Sequence, residues 1–229
     1  MEENQIAAAA PASDSGLSFA GLWQVFTAPA ALFERLKKNP RVLVPWIVIG
    51  LVSLLFFWGM SDLILEVQKA AVAERNPDQA AQIPDVALKI TAVAGGTLAM
   101  LIAPLLTAGL AMFWGNFVLA GTARYKQLLS VALYSSLVFI LGFLVTWPLA
   151  VAKGSMAVSL SLAVLVADQP LDSFAYVALS KIGVFYIWEF VVAGIGFAAM
   201  YGFKPAKGYI LAALSLGLIS LIHALFALL

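Results

Sequence analysis

The chain has 229 residues, of which 63% are apolar and 11% are charged. A soluble domain is usually about half apolar and about a quarter charged, so this chain has too little charge to cover a surface that faces water. Its formal net charge of +1 offers no basic field for nucleic acid. The absence of cysteine excludes disulfides, thiolate catalysis and cysteine-based metal sites. The composition therefore predicts an integral membrane protein whose main solvent is lipid.

The N-terminal region divides into two parts. Residues 1–16 contain mostly Ala, Pro, Ser, Asp and Gly without a periodic pattern, which predicts a disordered tail. Residues 17–41 carry large apolar residues that alternate with small and polar ones, together with several basic residues. Pro29 suits the first position of a helix, because that position needs no N–H donor. We expect a cytoplasmic amphipathic helix that lies in the membrane interface before the first span.

Five apolar segments follow. A bilayer core of about 30 Å needs about 20 helical residues, and the segments cover about 42–61, 92–120, 128–152, 174–200 and 206–228. The loops after the second and fourth segments are very short, so these spans should form antiparallel hairpins. In the long first loop, Asn76-Pro77 and Ile83-Pro84 predict short helical pieces broken by turns. The predicted fold is all-α, a bundle of five transmembrane helices.

The basic residues predict the orientation of the bundle, because cytoplasmic loops carry an excess of Lys and Arg. One side carries eight of them: Arg35, Lys37, Lys38, Arg41, Arg124, Lys126, Lys204 and Lys207. The other side carries four: Lys69, Arg75, Lys89 and Lys153. We therefore expect a cytoplasmic N-terminus and a C-terminus outside.

Small residues at every fourth position form ridges on two of the segments. Such ridges allow another helix to approach closely. The longer ridge, on the second segment, consists of Gly95, Ala99, Ala103, Thr107, Ala111 and Gly115, and the shorter one, on the fourth, consists of Gly194, Ala198 and Gly202. Both are predicted packing surfaces. The partner could be an internal helix or another protein, and the two ridges could face each other.

Glu189 lies near mid-depth of the fourth segment, where an ionisable group is costly and marks a candidate functional site. It could fix packing as a hydrogen-bonded or protonated group, serve proton or substrate transport, or contact a partner subunit. Lys181 is eight residues earlier, about 12 Å away along a continuous helix, which is too far for a direct pair. Lys181 lies about two turns from the outer end of the segment and is expected to snorkel, and Asn116 is expected to hydrogen-bond another helix.

The sequence contains no G-x-S-x-G, H-E-x-x-H or P-loop motif. Its single histidine, His223, has no nearby ligand residues that would make a metal site. The sequence therefore predicts no enzyme, cofactor or metal.

Four stretches of the chain carry a resemblance to a known family. They are TAPAALFERLKKNPRVLVPW before the first span, GTARYKQLLSVALYSSLV after the second, KIGVFYIWEFVVAGIGF in the fourth, and the turn GFKPAKGY. In their order and spacing, over about residues 20–215, the chain resembles the bacterial branch of the Yip1 family. The resemblance implies a five-helix bundle with a cytoplasmic N-terminus, in the inner membrane of a bacterium.

The resemblance does not imply every function that is known in the family. Eukaryotic relatives are linked to vesicle traffic and small GTPases, but the aspartate-rich, tyrosine-glycine-proline motif of those relatives is absent here, so GTPase binding is not implied. Some bacterial relatives resemble accessory partners of ABC exporters of the macrolide-exporter type.

Three functions are compatible with these features. The first is a non-enzymatic scaffold or accessory subunit that binds another membrane protein, such as ABC exporter subunits, or a second copy of itself. The second is a small transporter or channel that uses Glu189. The third is a protein that shapes the bilayer through its amphipathic segment. All three imply contact with membrane lipids and none with nucleic acid.

Overall fold

The computed structural model describes residues 19–75, 83–155, 158, 160–170 and 173–219. The predicted disordered tail, residues 1–16, lies outside these ranges, as does the end of the last predicted span. The helices are α1 (Ala20–Thr27), α2 (Pro29–Lys38), α3 (Leu43–Gly59), α4 (Ser61–Arg75), α5 (Asp85–Met112), α6 (Tyr125–Lys153), α7 (Phe174–Ser180), α8 (Val184–Tyr201) and α9 (Pro205–Ala212). Helices α5 and α9 continue into π-helical turns, Phe113–Val118 and Ala213–Gly217, and a short 3₁₀ helix covers Leu162–Val166.

Three of the described helices are long and apolar enough to cross a membrane. They are α5 with its π-helical turn, α6 and α8, and the bent pair α3–α4 makes a fourth if it counts as one span. The predicted all-α fold and the membrane-spanning character are therefore confirmed. The count of five spans stays a prediction, because the fifth, 206–228, is described only as far as Ile219.

Helix α6 forms the centre of the bundle. Every residue from Leu128 to Ser135 is buried, and α6 packs against α3, α5 and α8. The buried hydroxyls of Ser130 and Ser135 donate to the carbonyls of Gln127 and Ala132 at 2.7 and 3.0 Å. These bonds matter because an unpaired hydroxyl in an apolar interior costs free energy. This stretch of α6 thus combines mostly large apolar side chains with two serines whose hydroxyls are satisfied within the helix.

The segment predicted as one interfacial helix consists of two helices, α1 and α2. Its apolar side chains Val25, Leu32, Phe33 and Leu36 are buried in the protein, and α2 packs against α8. Gly196 of α8 makes room for Phe33, since a Cβ at Gly196 would lie 3.0 Å from the Phe33 ring. The apolar face of α2 therefore contacts protein, not lipid.

The first loop contains helix interrupted near the predicted steps. Residues Ser61–Arg75 form a helix of 15 residues, bent by 66° from α3, that ends directly before Asn76-Pro77, and the next described helix begins directly after Pro84. Lys69 pairs with Asp85 at 2.6 Å, and Lys89 pairs with Asp62. Both pairs join α4 to the first turns of α5, which starts at Asp85, seven residues before the predicted start of the second span.

Candidate functional site

The long ridge on α5 is divided into an occupied part and an open part. Thr107, Ala111 and Gly115 are buried, whereas Gly95 and Ala99 are exposed. Tyr201 fills the groove at the buried end. A Cβ at Gly115 would lie 2.2 Å from the Tyr201 hydroxyl, which donates to the carbonyl of Ala111 at 3.1 Å. At Gly95, by contrast, a Cβ would meet nothing within 4 Å.

The short ridge on α8 is used inside the chain. Its residues Gly194 and Ala198 pack against α9, where a Cβ at Gly208 would lie 2.3 Å from the Gly194 carbonyl and 2.6 Å from the Ala198 Cβ. Gly202 has a φ of +68° and ends α8, a conformation that favours glycine. The short ridge therefore faces α9 and forms a hairpin with it.

The fourth predicted span is broken near its start. Helix α7 ends at Ser180 and α8 begins at Val184. Between them, Gly183 forms a β-bridge with Ser161, flanked by a hydrogen bond from the Val184 amide to the Leu160 carbonyl at 3.2 Å. A Cβ at Gly183 would lie 2.9 Å from the Ser161 side chain, so the close approach requires glycine. Lys181 is consequently not on the same helix as Glu189.

This break brings Lys181 and Glu189 to one cavity of about 430 Å³. Glu189 is 7% exposed, and Ser136 of α6 donates to its Oε1 at 3.1 Å. Lys181 donates to the Tyr186 hydroxyl at 2.8 Å, and its side chain lines the same cavity as Glu189. The separation of about 12 Å assumed a continuous helix, which the break between α7 and α8 interrupts, whereas the snorkelling of Lys181 stays a prediction.

The rest of the cavity wall is mostly apolar. Ala99, Ala103 and Thr107 of the long ridge form one side. Other lining residues are Ile49, Met100, Phe139, Ile140, Leu216 and Ile219. We call this space the Glu189 cavity. An apolar cavity with a few convergent polar groups is the usual form of a small-molecule site.

Asn116 does not bridge two helices as predicted. Its side-chain amide donates to the Ala123 carbonyl at 3.2 Å and accepts from the Ala123 amide at 3.3 Å. These two bonds close the short connection between α5 and α6. The residue therefore holds a turn.

Sequence reasoning did not single out Ser136 and Tyr186 as site residues. Both lie in stretches that carry the family resemblance, but an isolated serine or tyrosine in a membrane helix gives no sign of its partner. Across the described ranges, no group of three or more His, Asp or Glu side chains could hold a metal ion.

Comparison with known proteins places the chain in a family. The family model of the Yip1 domain matches residues 23–228. The membrane protein YknW of Bacillus subtilis (strain 168) is 28% identical over 215 residues, which cover 90% of this chain and 89% of that protein. No solved structure matches. The chain belongs to the Yip1 family of membrane proteins.

Proposed function

We propose that the protein is a non-enzymatic membrane scaffold or accessory subunit that binds another membrane protein. The observation that carries this proposal is the open end of the ridge on α5, at Gly95 and Ala99. An ABC exporter of the macrolide-exporter type is the first partner to test, a choice that rests on the family resemblance alone.

The two sides of α5 differ in how they are packed at this level. On one side, Phe57 of α3 covers Gly96, where a Cβ would lie 2.6 Å from the Phe57 ring. On the other side, the space over Gly95 is open. Helix association in lipid depends on close packing, because lipid tails are as apolar as leucine. A second helix that packs over Gly95 and Ala99 would gain contacts that lipid tails match poorly.

Replacing Gly95 with leucine tests this surface. A Cβ at position 95 meets nothing within 4 Å, and leucine has a higher helix propensity than glycine by up to about 1 kcal/mol. We therefore expect a folded protein that no longer retains its partner. The measurement is purification in mild detergent, with the mass of the complex from light scattering and its components from mass spectrometry.

The matched control is Gly109→Leu, because a Cβ at Gly109 also meets nothing within 4 Å. Gly109 lies on the same helix as Gly95, about 21 Å further along the axis at 1.5 Å per residue. We expect Gly109→Leu to keep the partner. If the unsubstituted protein purifies as a lone monomer, the proposal is wrong. If its complex contains only further copies of this chain, the protein self-associates and binds no other membrane protein.

Transport is the second candidate, because Lys181 and Glu189 line a cavity with Ser136 and Tyr186. The continuous burial of α6 from Leu128 to Ser135 argues against it. This buried stretch at the centre of the bundle leaves no water-exposed side chain along that part of α6. A proton-coupled flux that is lost in Glu189→Gln would favour transport over the scaffold.

Membrane shaping has less support from the structure. The apolar side chains of α2 that could enter lipid are buried against α8. Phe19, directly before α1, and Trp23 of α1 remain exposed, at 65% and 71%. A loss of liposome remodelling on deletion of residues 17–38 would favour this alternative.

A further inference from the structure

The Glu189 cavity is accessible from the side of the bundle, where Ala99 is exposed and also lines the cavity. Its apolar walls would accept hydrocarbon, and its volume of about 430 Å³ lies within the usual range for small-molecule sites. In a membrane-spanning bundle, such an opening faces lipid. The occupant should therefore enter from the bilayer and carry an apolar part.

The polar groups of the cavity restrict the head group of such an occupant. Among the described residues that line the cavity, one carboxylate, Glu189, and one ammonium, Lys181, carry formal charges of opposite sign. A ligand with a net charge would leave that charge uncompensated in a low-dielectric space, at a cost of several kcal/mol. A ligand with both a cationic and an anionic group would leave no such charge.

Glu189 can accept further hydrogen bonds. Within the described residues, the bond from Ser136 to Oε1 is the single hydrogen bond given to this carboxylate. A carboxylate has about four acceptor positions on its two oxygens, and an ammonium carries three donors. The ammonium group of a ligand could therefore donate to Glu189. Lys181 adds a cationic group at the same wall, where an anionic group of the ligand would be stabilised.

We propose that the Glu189 cavity binds a zwitterionic phospholipid, with the head-group ammonium at Glu189, the phosphate at Lys181 and part of an acyl chain along Ala103 and Leu216. This site shares Ala99 with the open end of the ridge, but its polar groups, Glu189 and Lys181, lie outside that surface, and the lipid site does not depend on a protein partner.

The test measures binding of short-chain lipids to the full-length protein in detergent by titration calorimetry. Dihexanoyl phosphatidylethanolamine should bind saturably at one site per chain. Dihexanoyl phosphatidylglycerol, which has an anionic head group, should bind at least tenfold more weakly. Free phosphoethanolamine separates the head group from the lipid, and it should bind at least tenfold more weakly than the zwitterionic lipid.

Three variants test the residues of the cavity. Glu189→Gln and Lys181→Met should each weaken binding of the zwitterionic lipid at least tenfold. Ala103→Phe fills the cavity without changing any charge and should weaken binding equally, so the test survives if a charge variant fails to fold. The controls Glu66→Gln and Lys153→Met change exposed residues outside the cavity and should stay within twofold of the unsubstituted protein.

Several results would overturn the proposal: no saturable binding of either lipid, equal binding of the two lipids, or unchanged affinity in both Glu189→Gln and Ala103→Phe. Unchanged affinity in Lys181→Met alone would refute the contact with phosphate. Gly95→Leu should leave lipid binding intact, so failure of the partner surface and failure of the lipid site are distinguishable.

Discussion

Lys37 links the basic segment before the first membrane helix to the end of α8. Its ammonium donates to the Ala199 carbonyl at 2.7 Å, and its own carbonyl accepts from the Gln127 side chain at 2.8 Å. The last carbonyls of a helix lack partners within the helix and carry partial negative charge. Lys37 therefore stabilises α8 and holds α2 against it.

We expect Lys37→Met to destabilise the protein by about 1 kcal/mol, the usual size of a cation at a helix C-terminus. Methionine keeps most of the apolar stem but cannot donate to Ala199. Thermal unfolding in detergent measures the change, and Lys38→Met is the control because Lys38 is exposed. Equal melting temperatures for the two variants would show that the bond to Ala199 contributes nothing.

At this scale, the sequence identifies unusual residues but not their partners. Glu189 stands out because a carboxylate within a membrane helix is costly, yet Ser136 is 53 residues away in the chain. For Asn116 the sequence predicts a hydrogen bond to another helix, because an amide in an apolar segment needs partners. The structure supplies those partners from the backbone of Ala123, seven residues later.

At the scale of elements, hydrophobic length predicts helices well and predicts breaks poorly. The third predicted span, 128–152, lies within α6, Tyr125–Lys153. The fourth is divided at Gly183, a glycine that in sequence resembles any other in a membrane helix. The division depends on the approach of Ser161 from a distant segment, which no local pattern reveals.

Helix α4 provides an element that can be tested directly, because the chain has no native cysteine. Asp62 contacts Lys89 of α5, so cysteines at these two positions should be joined by a short bismaleimide. Glu74 lies about 18 Å from Asp62 along α4, at 1.5 Å per residue. The control pair Glu74→Cys with Lys89→Cys should therefore react far less.

Mass spectrometry of the digested protein detects the joined peptides. Equal yields from both cysteine pairs would contradict the packing of α4 along α5. The charge pairs themselves should add little, since exposed ion pairs contribute about 0–1 kcal/mol.

At the scale of the whole molecule, composition alone indicates the solvent. With 63% apolar and 11% charged residues, the chain cannot cover a water-facing surface, and its helices confirm the membrane class. The docking of α1 and α2 was not predictable, because an amphipathic helix suits a membrane interface and a protein groove equally well. The choice depends on Gly196 and the space it leaves for Phe33.

The orientation of the molecule is a prediction that single cysteines can test. Lys126, Lys207 and Asp168 are all exposed. The positive-inside rule places the first two in the cytoplasm and the third outside. In intact bacterial spheroplasts, a membrane-impermeant maleimide should label a cysteine at 168 and should label cysteines at 126 and 207 only after permeabilisation. The reverse pattern would invert the topology.

The central claim is that α5 offers an open surface at Gly95 to another membrane protein. The most direct measurement places a photo-reactive amino acid at position 95, or at 109 as the control, and irradiates intact membranes. We predict that position 95 forms an adduct with one defined membrane protein, which mass spectrometry identifies, and that position 109 does not. Adducts with lipid alone, or the same adducts at both positions, would contradict the claim.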